Sequence, residues 1–291
     1  MAFSGVDSIV AAKTAGQRQR MPYNRTVVTG ATSVAGRWHE CLSGLGTGGS
    51  VVLTGTAGTG LAKNRSSAGA LPLGADVSTS LRYLQSLSVI TGGATLSPGW
   101  VVLTDIIHVY PSCVLTGAPS TMSSHPTWTG TGDTRMTNAV GVQCSLVVTT
   151  AGSAGNGQIS MTYTDQSGNS GAASGAMYAP ATNSPIGCLY GQTSTVVTVG
   201  GPYFPTAAGD TGIQSIQSYT ITTGLTSGVG AFVLHRPIAE IPLAAANTPG
   251  MIEWILGERV YDDSCLGFFM QIGGAATVGQ QITGSLDMVW G

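Results

Sequence analysis

Charge is what this sequence has least of. Lys and Arg together number 11 and Asp and Glu 13 in 291 residues, so 8% of the chain is charged. An average soluble domain carries roughly 25%. Lysine occurs only at Lys13 and Lys63. Helix surfaces are normally covered with Lys, Glu and Gln, so this scarcity excludes a helical bundle. Long apolar runs are missing too. The longest, such as Val140–Val148, are interrupted by Gly and Gln and fall well short of the ~18 residues of a membrane helix. The start, MAFSGVDSIVAA, has no basic segment, and Asp7 breaks its apolar run, so it does not read as a signal peptide. The sequons at Asn24 and Asn64 then carry no weight. Five cysteines, Cys41, Cys113, Cys144, Cys188 and Cys265, are odd in number and irregular in spacing. They form no CxxC and no metal-type pairing with histidine, and they read as buried free thiols in a chain made in a reducing cytoplasm.

Glycine is abundant, at 43 residues, but not at every third position, which excludes a collagen-like chain. The apolar fraction of 42% and net charge of −2 exclude charge-driven disorder. From about residue 80 onward, apolar and polar residues alternate with period two, the mark of half-buried strands. The alternation is clearest at 142–149, 157–164 and 279–290. It recurs near 84–91, 100–110, 194–199, 213–223, 228–235 and 264–272. In the last strand Ile282, Leu286, Met288 and Trp290 share the inward face. The linker AGSAGNG reads as the turn of an antiparallel hairpin between 142–149 and 157–164, and Asp165–Gly171 as another turn. Short helices are expected at 4–15, with Ser4 as N-cap and Gly16 as terminator, and at 250–256, after Pro249. Residues 42–79 read as irregular chain. The fold class is therefore all-β: a jelly-roll-like antiparallel β-sandwich over 80–291, preceded by a short N-terminal helix, an arm and a Gly/Ser-rich region over 1–79.

Few residues suggest chemistry. Gly44–Gly49 fits G-x-G-x-x-G literally, but its flanks are loop-like and glycine is common here, so no dinucleotide or other cofactor site is implied. His39, His108, His125 and His235 lie far apart, and His108 and His235 fall inside strands, as structural histidines do. Asp262-Asp263 reads as a turn before the strand at 264–272 rather than as a calcium site. No catalytic, cofactor-binding or metal residues are assigned. The charge distribution says more. Lys13, Arg18, Arg20, Arg25 and Arg37 occupy a segment without an acid. Glu240, Glu253, Glu258, Asp262 and Asp263 face only Arg259 in another. Such a basic segment suits docking on an acidic protein surface, such as the acidic segment of a neighbouring copy. Five charges that do not form a dense run, in a slightly acidic chain, argue against nucleic acid. Trp128, in a Gly- and Thr-rich loop, is either tucked beneath that loop or an interface anchor. The expected partner contacts are Lys13, Arg18, Arg20, Arg25, Arg37 and Trp128.

Several phrases resemble virion structural proteins of tailed bacteriophages, of the kind that decorate or cement the head. They are Arg37-Trp38 after the basic segment, Tyr163–Gly171, Ile241-Pro-Leu, Val260–Met270 and Gly284–Gly291. The resemblance implies a β-sandwich on the capsid exterior. It further implies a homo-oligomer that bridges subunits of the major capsid protein, with no enzymatic role, membrane or cofactor. Scarce surface charge fits copies covering one another, and a trimer matches the local three-folds of an icosahedral shell. The competing readings are another virion component (tail tube, receptor-binding or major capsid protein) and a sandwich-fold carbohydrate hydrolase. The hydrolase would need two carboxylates ~5–9.5 Å apart in a cleft.

Overall fold

The structure is a computed structural model. It describes residues 3–26, 36–77, 79–92, 99–117, 120–128, 135, 138–153, 157–179, 183–192, 201–245, 247–255, 257–272 and 280–291. The expected strand at 194–199 lies outside these. The first elements are α1 (Val6–Thr14), β1 (Arg18–Thr26), β2 (Arg37–Glu40), β3 (Leu61–Ala62), β4 (Arg82–Gly92), β5 (Gly99–Val114) and β6 (Ser120–Thr121). Then come β7 (Gln143–Thr150), β8 (Gly152–Ser153), β9 (Gln158–Asp165), β10 (Ser170–Ala173), β11 (Met177–Tyr178) and β12 (Asn183–Ser184). The chain closes with β13 (Ile213–Thr223), β14 (Val229–Leu243), β15 (Gly250–Glu253), β16 (Arg259–Val260), β17 (Leu266–Ile272) and β18 (Gln281–Trp290). The all-β antiparallel sandwich is as the alternation predicts. Among the described residues no helix is long and apolar enough to cross a membrane.

A central sheet runs β2-β17-β5-β14-β7, with β3 added to β5. Its two longest strands, β5 and β14, serve two cores in succession. Val101 and Leu103 of β5 and Ile241 and Leu243 of β14 pack with Leu87, Val89, Ile282, Leu286 and Met288 of an outer sheet ordered β1-β18-β4-β15. Further along, Tyr110 of β5 and Phe232 and Leu234 of β14 pack with Ile159, Met161, Ile216 and Tyr219 of a second outer sheet, β10-β9-β13-β6. A third cluster joins Leu42, Val51, Leu53 and Ala70 to Val102, Ile106, Val109 and Val233, so the irregular stretch after β2 covers apolar positions of the central sheet. Strands covered on both faces carry near-continuous apolar sequence, as Gly99–Val114 does.

Three expectations need correction. Residues 142–149 and 157–164 form β7 and β9 but not a hairpin: β7 pairs with β14, and β9 with β13, β10 and β11. Alternation tells a strand which face to bury, not which neighbour to take. The expected helix at 250–256 is instead β15, an edge strand on β4. Its apolar run is too short to nucleate a helix unaided, whereas β4 offers it a ready ladder. Within residues 1–79, β1 pairs with β18 over nine residues and β2 with β17. Trp290, expected inside, is half-buried at the end of its strand, with the Arg82 guanidinium 5.9 Å from its ring centroid. The other reading of this strand holds: β18 lies between β1 and β4, and Ile282, Leu286 and Met288 enter the core.

Candidate functional site

Strand β1 carries the basic segment, and alternation divides its cations. Met21, Tyr23 and Arg25 turn inward, while Arg18, Arg20, Pro22 and Asn24 face solvent. Pro22 is tolerated because β1 is an edge strand. Arg25 is fully buried, and its Nη1 donates to the Gly49 carbonyl. Burial lowers the pKa of this guanidinium, and Cys41, Cys265 and Glu40 oppose the shift. Arg37 is buried as well. Trp128 lies in the second core, where its Nε1 donates to the Gln214 carbonyl at 2.8 Å. These three of the six expected contact residues are therefore internal parts of the fold. The loop tryptophan is the tucked kind.

The other three converge. Lys13, in the last turn of α1, joins Arg18 and Arg20 along one bank of an open groove of about 510 Å³. Gln19, Gln85, Ser86, Glu253, Trp254, Asp287 and Met288 complete the lining. The register of the sheet explains this convergence. Arg20 is opposite Asp287, Asp287 opposite Ser86, and Ser86 opposite Glu253, a row across β1, β18, β4 and β15. Arg20 Nε lies 3.9 Å from Asp287 Oδ1, and Ser86 Oγ donates to Asp287 Oδ2 at 2.8 Å. Arg20 Nη2 also donates to Ser285 Oγ at 3.3 Å.

Helix α1 sets the end of the groove. Ile9 and Ala12 pack on Val289, with Phe3 alongside, and so close the outer face of β18 at that point. Ser8 fixes the start of the helix: its Oγ accepts from the Ser4 and Gly5 amides at 3.1 and 3.2 Å. Gly16, at φ +79°, ends it, as read from the sequence. The groove thus holds three cations and two carboxylates, a net charge of one positive. The acidic residues at 258–263 are already engaged within the chain. Asp262 faces Arg82 at 3.4 Å, Asp263 faces Arg65 at 3.5 Å, and Glu258 faces Arg236 at 3.6 Å.

His235 is no accessible base. His235 is fully buried between Thr104 Oγ1, 2.7 Å from its Nδ1, and Ser145 Oγ, 2.9 Å from its Nε2. Burial pushes its pKa down to about 3, so the ring is a neutral bridge between two strands rather than a base. Between the two cores, buried Asp105 accepts from Arg135 Nη1 at 3.1 Å, Ser264 Oγ at 2.8 Å and the Cys265 amide at 2.9 Å. Desolvation raises the pKa of Asp105, and Arg135 and these donors oppose the rise. The sequence held no sign of this pair, since its members are 30 residues apart and meet only in space. Among the described residues no three His, Cys, Asp or Glu side chains are grouped to hold a metal ion.

No family model matches the chain, and no curated protein matches it. Among solved structures, a chain from the structure of infectious bursal disease virus Gx strain aligns over 94% of this chain and 80% of its own, at 10% identity. The TM-score is 0.18, too low to carry an argument about fold or function. This likeness to a viral structure contains nothing specific to tailed bacteriophages.

Proposed function

We propose that this protein is a structural virion component that decorates a phage capsid, with the groove beneath α1 as its contact with the shell. One observation carries the reading: Lys13, Arg18 and Arg20, three of only 11 basic residues, stand exposed on one bank of one groove. In a chain so poor in charge, a local surplus of positive charge on a rigid sheet face selects an acidic partner segment. The sheet holds the arginines at fixed spacing, so little side-chain order need be lost on docking beyond the long side chains themselves. Oligomerisation, with a trimer favoured, multiplies each weak contact by the number of copies. An exposed ion pair contributes only ~0.2–1 kcal/mol.

The test is a Lys13→Ser/Arg18→Ser/Arg20→Ser variant. Arg25 is excluded because it is buried. Sedimentation with purified shells across a salt series should show weaker attachment of the variant, and wild-type attachment should weaken as salt rises. Equal attachment of both proteins at every salt concentration overturns the proposal.

A second reading has one observation in its favour. Glu253 and Asp287 lie two strands apart in the same groove, their backbones about 10 Å from each other, beside Trp254. If the groove cleaves glycosidic bonds, Glu253→Gln should abolish release of reducing ends, and unchanged release would rule this reading out.

A further inference from the structure

A second cavity, of about 190 Å³, opens on the central sheet where β3 meets β5, and it plays no part in the reading above. Its lining includes Lys63, His108, His125, Arg135 and Asp263. Lys63 is one of only two lysines in the chain, and just 7% of its surface is exposed. Among the described residues, none bonds or pairs with its ammonium group. Its backbone is fully used: the amide donates to the Ile107 carbonyl at 2.9 Å, and the carbonyl accepts from Arg135 Nη2. The neighbouring charges are already balanced. Arg135 faces Asp105, and Asp263 faces Arg65.

The Lys63 ammonium thus stands at an open cavity with no counter-ion from the described residues, a place an anion can fill. Burial lowers the pKa of Lys63. The two histidines of the lining are held within the chain. His108 Nε2 lies 2.9 Å from the Ser124 carbonyl, so it carries the proton, and Nδ1 is left without a hydrogen-bond partner. His125 Nδ1 lies 3.0 Å from Tyr110 Oη. The cavity therefore presents an unpaired cation in a space the size of a small ion with a few waters, a water occupying about 30 Å³ of liquid volume.

We propose that this cavity binds a compact oxyanion, of the size and charge of inorganic phosphate, with the Lys63 ammonium as its principal counter-ion.

The experiment uses the wild-type chain and an amine-acylating reagent, read by mass spectrometry. The only other lysine, Lys13, lies exposed on α1 and serves as the internal reference. Inorganic phosphate at ten times its dissociation constant should slow labelling of Lys63 about tenfold and leave Lys13 unchanged. Sodium chloride at matched ionic strength should slow neither. In parallel, phosphate should raise the Tm of wild type but not of Lys63→Met, which replaces the cation with a side chain of similar length. Lys63 labelling that follows Lys13 in phosphate, or that slows equally in chloride, overturns the proposal. So does a Lys63→Met variant that gains as much from phosphate as wild type.

Discussion

At the residue scale, single atoms decide where large side chains sit. Tyr23 lies opposite Gly284 in the register and reaches over it to donate to the Ser88 carbonyl at 2.7 Å. Its ring packs on Phe268, centroids 4.6 Å apart. A Cβ at position 284 would stand 1.8 Å from that carbonyl and 2.8 Å from Tyr23 Oη. Gly284→Ala must therefore displace the tyrosine and distort the β18–β4 ladder. We expect a loss of ~1–3 kcal/mol, measured by denaturant unfolding. An unchanged midpoint would show that the strand can move aside. His235 gives a pH prediction. Its folded pKa, about 3, lies below the ordinary histidine value, so between about pH 6.5 and 3 the unfolded chain binds a proton that the folded chain does not. Stability from this residue is thus fully present above pH 6.5 and falls with acidification by up to ~1.4 kcal/mol per pH unit through that window. Histidine-resolved NMR should find no titration of His235 above pH 4. The stability of His235→Gln should decline less steeply than that of wild type between pH 6.5 and 4.

At the scale of elements, α1 and β18 should differ sharply in local stability. A nine-residue helix does not persist alone in water. This one is held by the few contacts of Ile9 and Ala12 with Val289 and Phe3. β18 is hydrogen-bonded on both sides, to β1 and β4. Amide hydrogen exchange should be fast over residues 6–14 and slowest over 282–290. Ile9→Ser should speed the helix further without changing exchange in β18. Equal protection of the two elements would mean that α1 is part of the global unfolding unit. The sequence disclosed these elements unequally. β7, β9 and β18 stood out because their alternation is clean. β1 reads as a basic arm because Arg18, Arg20 and Arg25 dominate it, although Met21 and Tyr23 already keep period two. β15 reads as a helix because five apolar residues within six, over 251–256, fit either period. Its edge position on β4 is a tertiary fact.

At the scale of the whole molecule, the two cores share β5 and β14, and the Asp105–Arg135 pair bridges the region between them. Removing one partner leaves the other charge buried. We expect Asp105→Asn to cost ~3–5 kcal/mol and to lower the Tm of the whole chain in one transition. The five cysteines report on the same cooperativity. All are free and buried, and desolvation pushes the thiols up, Cys113, Cys188 and Cys265 to about 12. They should be inert to thiol reagents in the native protein and become reactive together on unfolding. Stepwise release of thiols with denaturant would instead show that the two cores open separately.

The sequence by itself determined the class of the fold. Period-two alternation and scarce charge leave a solvated-face, buried-face strand as the repeating unit, and that is a local property of the chain. It also determined that the cysteines are buried thiols and that His108 and His235 belong to strands. Tertiary structure alone decided the pairing. β7 and β9 are close in sequence and end in different sheets, because several strands with matching faces compete for each edge. The same physics sorted the basic residues. Arg18 and Arg20 differ from Arg25 only in strand parity, but parity becomes burial only once β1 lies on β18 above a core. The groove, the unpaired Lys63 and the Asp105–Arg135 pair each join residues from separate strands and loops. Such sites are set by sheet register, which short-range sequence does not encode.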